Sequence, residues 1–372
     1  MNDNMTISLL TCGPGDELYS LFGHTAIRVK TEGVDAAFNY GAFNYNEDNF
    51  AYKFVAGETD YILAAEPTEM FLARYDERGI GVTEQVLNLT QEEKEDIYAY
   101  LRWNVRPENR MYRYNWLYDN CTTRARSLLR KVQEFKSSRV QGGQEVQEFK
   151  GSRVQGVHPS TSSGTDVVTA REILKEYTQV DSWVDFGIDM ILGSEIDQPL
   201  TQEQQMFIPA NYEAELEGSR VQETRELLPQ RLEHEHYKVN QPMLVFGALL
   251  LVCVGASVME WKRKKLWKWL DVALFSLVGI AGLLISFLYF FSEHAGVDTN
   301  ALVWIFNPVA LLMVPLIVKG KHKVAGMVMM VEIAIFVIAV VGSGQWINPA
   351  MWILALSLLV RSIANCIVVE TK

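Results

Sequence analysis

The chain has 372 residues, of which 49% are apolar, and a formal net charge of −11, so it is long enough for two or three domains. Acidic residues lie mostly before residue 242 and apolar runs dominate after it, which excludes a nucleic-acid-binding protein. Two of the four cysteines lie inside apolar runs, and the six histidines do not pair with cysteines at ligand spacing. We therefore predict no disulfide framework, metal ion or soluble cofactor.

The first elements in chain order predict a β-hairpin. The stretches GHTAIRVK (23–30) and VDAAFNYG (34–41) alternate apolar and polar residues, and TEG between them has the composition of a turn. A turn centred on Thr31 and Glu32 places Asn39 opposite His24 on the neighbouring strand.

Two helices are predicted next. The stretch TQEEKEDIYAYLRWNV (90–105) begins with Thr90 and carries Glu93 three residues later, which is a capping box before an amphipathic helix. A second helix is predicted to begin near Cys121, within WLYDNCTTRARSLL (116–129).

A short polar repeat interrupts the pattern after this helix. VQEFK occurs at 132–136 and again at 146–150, in a Gly- and Ser-rich context that cannot bury a core. Helical periodicity then resumes, and a polar stretch (213–241) reads as a linker. The predicted divisions are an N-terminal domain (1–131), a disordered insertion (132–165), a helical extension with linker (166–241) and a membrane domain (242–372).

The last third of the chain predicts a membrane domain. It contains five apolar segments, each close to the ~20 residues needed to cross a hydrocarbon core. A set of buried core helices is the alternative, but five such runs are hard to bury in a soluble fold. The segments are residues 242–259, 270–291, 301–318, 324–342 and 350–369.

The loops between these segments predict their orientation. WKRKKLWKW (261–269) and KGKHK (319–323) are basic, whereas the other two loops contain no Lys or Arg. By the positive-inside rule, the basic loops and the C-terminus are cytoplasmic and the N-terminal domain is extracytoplasmic. That placement requires export, yet MNDNMTISLLTCGPG (1–15) lacks a signal peptide, so we expect one to have been lost through an alternative start or removal.

Glu332 and Arg361 are ionisable residues inside the predicted spans. A charge in a membrane is costly and is a functional candidate by default. A structural polar contact, or for Arg361 a side chain that reaches the cytoplasmic interface, is the interpretation we favour.

Cys121 and His24 form a candidate catalytic pair. A cysteine at a helix N-terminus is exposed to the positive end of the helix dipole, which favours thiolate, and a histidine facing it accepts the proton. A third group has to orient the imidazole, and Asn39 is placed to do so. Taken singly, a buried thiol, a core histidine and a strand-end asparagine are the alternatives.

Two stretches, FGHTAIRV (22–29) and NCTTRARSLL (120–129), resemble circularly permuted papain-like domains of the NlpC and lecithin:retinol acyltransferase kind. More closely, the chain resembles the Lnb N-terminal periplasmic domain family of Bacteroidota. The resemblance covers residues 6–131, covers 166–212 less strongly, and extends into the membrane part. The repeat departs from the family but lies downstream of the motif. The stretches that carry the resemblance are LLTCGPGDELYSLFGHTAIRV, FNYGAFNY, KFVAGETDYIL, YDNCTTRARSLL and FGIDMILG.

The resemblance implies an α+β, circularly permuted papain-like extracytoplasmic domain followed by an all-α domain of five transmembrane helices. It also implies lipoprotein N-acyltransferase activity, with Cys121 as the nucleophile that forms a thioester and His24 as the base. The implied partners are a phospholipid acyl donor, a diacylglyceryl-modified lipoprotein acceptor and membrane lipids. Residues expected to line the pocket, with support of the fold as the alternative for each, are Tyr40, Tyr114, Asn115, Asn120 and Arg124.

Two other functions remain open from the sequence. NlpC-type cysteine peptidases and amidases that cleave cell-wall peptides use the same residue pair, although they do not need five membrane helices. The second alternative is a membrane-tethered binding module in which Cys121 is structural.

Overall fold

The structure is a computed structural model that describes residues 5–44, 46, 48–140, 168–178, 182–217, 220–233 and 239–368, with side chains of the Cys121 helix up to Val132. The chain forms two compact units. The first contains Met1–Val168 and Pro199–His234, and the second contains Thr169–Gln198 and Glu235–Lys372.

The described residues of the first unit form one antiparallel sheet of seven strands. The strands are short. Their successive side chains point to opposite faces of the sheet, and most of these side chains are at least partly buried. Their spatial order is β6-β4-β3-β2-β1-β5-β7. The strands are β1 (Thr6–Cys12), β2 (His24–Lys30), β3 (Asp35–Ala42), β4 (Asp60–Pro67), β5 (Val82–Leu87), β6 (Met111–Arg113) and β7 (Val221–Leu228).

Among the residues that the structure describes, eight helices lie before the membrane segments, and six of them belong to the first unit. Helices α5 and α6, with a 3-10 turn at Ser194–Asp197, belong to the second unit. The eight helices are α1 (Phe50–Ala56), α2 (Thr68–Glu77), α3 (Gln91–Asn104), α4 (Cys121–Val140), α5 (Ala170–Lys175), α6 (Trp183–Ile191), α7 (Gln202–Gln205) and α8 (Pro209–Glu217).

Helices cover both faces of the sheet. On one face, Ile7, Leu9 and Ile27 pack with side chains of α3, α4 and α8. On the other, Leu10 and Ala26 pack against Phe71 of α2 and its neighbours. The first turn of α4, which begins at Cys121, therefore lies over a buried sheet face.

The α+β architecture and the predicted hairpin are confirmed, but the hairpin turn differs from the prediction. Ile27 pairs with Phe38 and Lys30 with Asp35, so the turn spans Thr31–Val34 and is centred one residue later than predicted. Asn39 therefore lies diagonal to His24 rather than opposite it. A one-residue shift of the turn moves the cross-strand register by two positions, which keeps both side chains on the same face.

The predicted capping box of α3 is present, with Thr90 bonded to the backbone N–H of Glu93 and the Glu93 carboxylate bonded back to Thr90. The predicted linker over 213–241 is wrong in part, because β7 pairs with β5 inside it. The sequence did not predict β7 because most of its side chains are charged or polar and exposed. An edge strand of this kind lacks the alternation of apolar and polar residues that predicts a strand. Helix α4 extends to Val140, into the predicted insertion, and the remainder of the repeat lies outside the described residues.

In its described part, the second unit contains five helical segments long and apolar enough to cross a membrane. The predicted set of five is confirmed. The third has a 3-10 turn (Ala301–Trp304) before its α-helix. The segments are α9 (Gln241–Arg263), α10 (Lys268–Phe291), Ala301–Val318 with α11 (Val309–Val318), α12 (His322–Ser343) and α13 (Pro349–Ile367).

Arg361 is fully buried in this unit and is bonded to two carboxylates. Its guanidinium donates to Glu260 of α9 at 2.7 and 2.9 Å and to Asp271 of α10 at 2.7 and 3.0 Å. All three side chains are 0% exposed. For Arg361, the favoured structural polar contact is therefore confirmed. Its side chain does not extend to the cytoplasmic interface.

Candidate active site

Cys121 is the first residue of α4, and the residue before it caps the helix. Asn120 Oδ1 accepts hydrogen bonds from the N–H groups of Thr122 and Thr123, both at 2.9 Å. The Asn120 amide donates to the carbonyls of Trp116 at 2.7 Å and Phe207 at 2.9 Å. A capped N-terminus directs the positive end of the helix dipole towards Cys121.

His24 begins β2 and is bonded to Asn39 on β3. The His24 Nε2 and Asn39 Oδ1 atoms are 2.5 Å apart, so the amide oxygen accepts from the ring. With Nε2 engaged, Nδ1 is the ring nitrogen left to exchange a proton with the Cys121 thiol, with which His24 interacts directly. The structure thus brings three distant residues together. His24 and Asn39 are 15 positions apart in the chain, and Cys121 follows Asn39 by 82 positions.

The electrostatics of the pair favour charge separation. Burial raises the pKa of the Cys121 thiol, but the positive charge of His24 and hydrogen bonds from His24, the Thr25 backbone and Thr122 lower that pKa to about 7. Burial lowers the pKa of His24, but the negative charge of Cys121 and hydrogen bonds with Cys121 and Asn39 raise it above its ordinary value. A thiolate beside an imidazolium is therefore accessible at neutral pH.

Gly41 keeps the space beside this pair open. It has a φ of +102°, which strains any residue with a side chain. A Cβ at this position would lie 3.4 Å from His24 Cε1 and 3.9 Å from Cys121 Cβ. Sequence reasoning missed this residue, although NYG within the hairpin strand is a signal of a bulge, and the β3–β4 register does shift between Tyr40 and Ala42.

Of the five residues predicted to line the pocket, four have polar atoms bonded within the fold, and Tyr40, Asn115 and Asn120 are three of them. The Tyr40 hydroxyl donates to Asn104 at 2.7 Å. Asn115 Oδ1 accepts from the N–H groups of the following turn at 3.1 and 3.0 Å. Asn120 caps α4. These contacts favour a supporting role for the three side chains.

Arg124 and Tyr114 are the two remaining predicted pocket residues. Arg124 forms two 2.7 Å hydrogen bonds with the carboxylate of Asp119, and its guanidinium carbon lies 3.7 Å from the centroid of the Tyr112 ring. Tyr114 stacks on Tyr61, with ring centroids 4.2 Å apart. Tyr112 and Cys121 belong to one buried cluster against which Tyr114 packs, and the negative charge of Cys121 helps to raise the pKa of both tyrosines.

An aromatic wall continues outward from Tyr114. We use this name for five rings whose successive centroids lie 4.2, 4.9, 5.7 and 5.8 Å apart. Only Tyr61 is buried, and the outermost ring, Phe54, is 39% exposed. The wall consists of Tyr114, Tyr61, Phe43, Phe50 and Phe54. It offers an apolar surface that begins beside Cys121.

Within the described residues, no group of three or more His, Cys, Asp and Glu side chains is placed to hold a metal ion. A cysteine at a capped helix start, an imidazole and an amide can instead perform nucleophilic chemistry on a carbonyl carbon.

Together, the fold and site define a multi-pass membrane protein whose α+β domain carries a cysteine–histidine pair. Residues 2–148 match the Lnb N-terminal periplasmic domain, and residues 234–372 match the Lnb transmembrane domain. The two matches are separated by residues 149–233 and together cover most of the chain, so the chain belongs to the Lnb family. No curated protein and no solved structure matches it.

Proposed function

We propose that this protein is a lipoprotein N-acyltransferase. Cys121 takes an acyl chain from a phospholipid as a thioester, and the α-amine of a diacylglyceryl-modified N-terminal cysteine of a lipoprotein then accepts it. The observation that carries the proposal is the Cys121–His24–Asn39 arrangement, with a thiol pKa of about 7, in a chain with five membrane-spanning helices.

The residues supply each group that the chemistry requires. The Cys121 thiolate attacks the ester carbonyl carbon, and the His24 imidazolium protonates the departing alkoxide. His24 is then neutral and accepts the proton of the attacking amine as the C–N bond forms. The C–S bond breaks and returns the thiolate. Asn39 holds the ring in the orientation that both steps use.

The aromatic wall supports an acyl chain rather than a peptide as the group that lies beside Cys121. Its rings present apolar surface, and its outer members are half-buried or exposed rather than closed into the core. A hydrocarbon chain is stabilised by removal of apolar area from water, roughly 25 cal/mol per Å². A peptidase site requires hydrogen-bond partners for a substrate backbone instead.

We further propose that the protein lies in the bacterial inner membrane with its N-terminal domain in the periplasm and its C-terminus in the cytoplasm. The basic loops at 261–269 and 319–323 support this orientation.

The experiment that tests the function is mass analysis of the N-terminal peptide of a reporter lipoprotein. It uses cells that lack their own N-acyltransferase and express the exported, full-length protein. We expect the peptide to gain one acyl chain with the native protein and none with Cys121→Ser, because a hydroxyl is not ionised near neutral pH. Cys366→Ser, which removes a thiol from the last membrane helix, is the matched control and should retain the gain.

If well-expressed native protein adds no acyl chain, the transferase proposal fails and the peptidase becomes the leading alternative. If Cys121→Ser is as active as the native protein, Cys121 is not the nucleophile.

A further inference from the structure

Tyr112 is a buried tyrosine beside the candidate nucleophile. It is the middle residue of β6 and pairs with Tyr61 of β4, while its two neighbours on the strand are exposed. Its ring lies edge-on to that of Tyr40, with centroids 6.1 Å apart, and beneath the guanidinium of Arg124. The ring is therefore held from three sides, which fixes the position of its hydroxyl.

The hydroxyl of Tyr112 is buried and, among the residues that the structure describes, has no hydrogen-bond partner. Buried polar groups are nearly always hydrogen-bonded, since an unpaired one has lost its contacts with water without replacement. A phenylalanine would fill the same space without that loss. An unpaired hydroxyl at this position is thus better explained by a partner that is present only during the reaction.

The surroundings keep this hydroxyl protonated and close to the reacting sulfur. Burial raises the pKa of Tyr112 well above its ordinary value, and the negative charge of Cys121 raises it further, more strongly than Arg124 lowers it. The group is thus an O–H donor throughout the neutral range. Arg124 follows Cys121 by about one helical turn, so the ring it covers lies under the start of α4.

A second donor lies at the same helix start. The cap Asn120 accepts from the N–H groups of Thr122 and Thr123, the second and third residues of α4. The N–H of Cys121, the first residue, has no acceptor in the described part of the chain. Two donors thus lie close to the start of α4, the side-chain hydroxyl of Tyr112 on β6 and the backbone N–H of Cys121 on the helix itself.

We propose that the Tyr112 hydroxyl and the Cys121 N–H together form the oxyanion hole of the acyl-transfer reaction. This inference rests on the proposed function, because an oxyanion exists only if Cys121 attacks a carbonyl group. Tyr112 is then a catalytic residue that sequence reasoning did not identify.

The step can be written with its atoms balanced. As the Cys121 sulfur bonds to the ester carbonyl carbon, the π electrons of the C=O bond move to the oxygen, which becomes the oxyanion. Tyr112 and the Cys121 N–H donate to that oxygen. The C=O bond re-forms as the ester C–O bond breaks, and the departing alkoxide takes the proton of His24.

The test compares two reactions of Cys121 in the full-length protein in detergent micelles. Acylation by p-nitrophenyl octanoate forms an oxyanion, whereas alkylation by iodoacetamide at a saturated carbon does not. We expect Tyr112→Phe to slow the acylation burst about 100-fold, as loss of one oxyanion donor does elsewhere. The alkylation rate and the substrate concentration at half-maximal burst rate should be unchanged. The melting temperature should be equal to that of the native protein or higher.

Tyr98→Phe is the matched control, since it removes a hydroxyl from α3 outside the site, where the ring packs against Phe38. It should leave both reactions unchanged. A native acylation rate in Tyr112→Phe, or an equal fall in acylation and alkylation, would overturn the inference while leaving the proposed function in place. A native protein that neither shows a burst nor acylates the reporter lipoprotein would overturn both.

Discussion

At the scale of single residues, the properties of Cys121 depend on His24 more than on the thiol itself. The sulfur is buried, which opposes ionisation, and the imidazolium charge is the largest effect in the other direction. Asn39 contributes indirectly, because its bond to Nε2 helps to hold the proton on the ring. The reactivity of the thiol is therefore a property of three elements: α4, β2 and β3.

The rate of Cys121 alkylation should rise with pH through an apparent pKa of about 7. His24→Gln removes the charge that stabilises thiolate and leaves the effect of burial less opposed, so the apparent pKa should rise to about 8.5, the ordinary value of a thiol, or above it. The measurement is peptide mass spectrometry after iodoacetamide pulses at different pH.

Cys12 is an internal control in the same digests. Burial raises its thiol pKa well above the ordinary value, so it should remain unmodified over the same range. A Cys121 profile that is unchanged by His24→Gln would contradict the pairing of the two residues.

At the scale of elements, the start of α4 depends on a single side chain that links distant parts of the first unit. Asn120 bonds two N–H groups of its own helix and two carbonyls, one of which belongs to Phe207, 87 positions away. The cap therefore fixes both the helix dipole at Cys121 and the position of the chain after α7.

Asn120→Ala should lower the free energy of unfolding by roughly 1–2 kcal/mol, which is typical of a lost N-cap. It should also raise the thiol pKa of Cys121, because the helix end that faces the sulfur is no longer held. Thermal unfolding and the alkylation profile measure the two effects.

Thr90→Ala is the control for this change, since it removes the N-cap of α3, away from Cys121. It should cost a similar amount of stability without a change in the alkylation profile. If both variants shift the profile equally, the effect on the thiol comes from general destabilisation rather than from the α4 cap.

At the scale of the whole molecule, each unit is stabilised in a different way. In the first, apolar side chains on both faces of a sheet pack against helices. In the second, Arg361 joins three membrane helices through Glu260 and Asp271, in addition to a large apolar cluster. Ion pairs without access to water tolerate the loss of one partner poorly, because the remaining charges are then buried without compensation.

Arg361→Met should therefore lower stability by about 3–5 kcal/mol, since it leaves two carboxylates without their cation. The triple variant Arg361→Met, Glu260→Gln, Asp271→Asn should recover much of the loss, because it removes the buried charges together. Thermal unfolding of the full-length protein in detergent measures the stability of the single and the triple variant. A single variant as stable as the native protein would show that the cluster is not part of what holds these helices together.

How much of the site was visible from the sequence depends on whether each feature is local. The capping box of α3, the cysteine at a helix start and the histidine at a strand start follow from residues within a few positions of each other. Asn39 was predicted from a hairpin register that differs from the observed one by two positions. A shift of two positions leaves the Asn39 side chain on the same face of the sheet as His24, so the two residues still form a hydrogen bond. Tyr112 was missed because only the pairing of β6 with β4 directs it towards Cys121.

The sequence by itself determined the five membrane segments and the hairpin, since each follows from a hydrophobic run or period within one stretch of chain. It also determined which residue types were available for catalysis. Only the tertiary structure decided which of them meet: Asn120 with Phe207, Tyr112 with the start of α4, and Arg361 with Glu260 and Asp271. These pairs are set by strand register and helix packing, which depend on contacts between residues far apart in the chain.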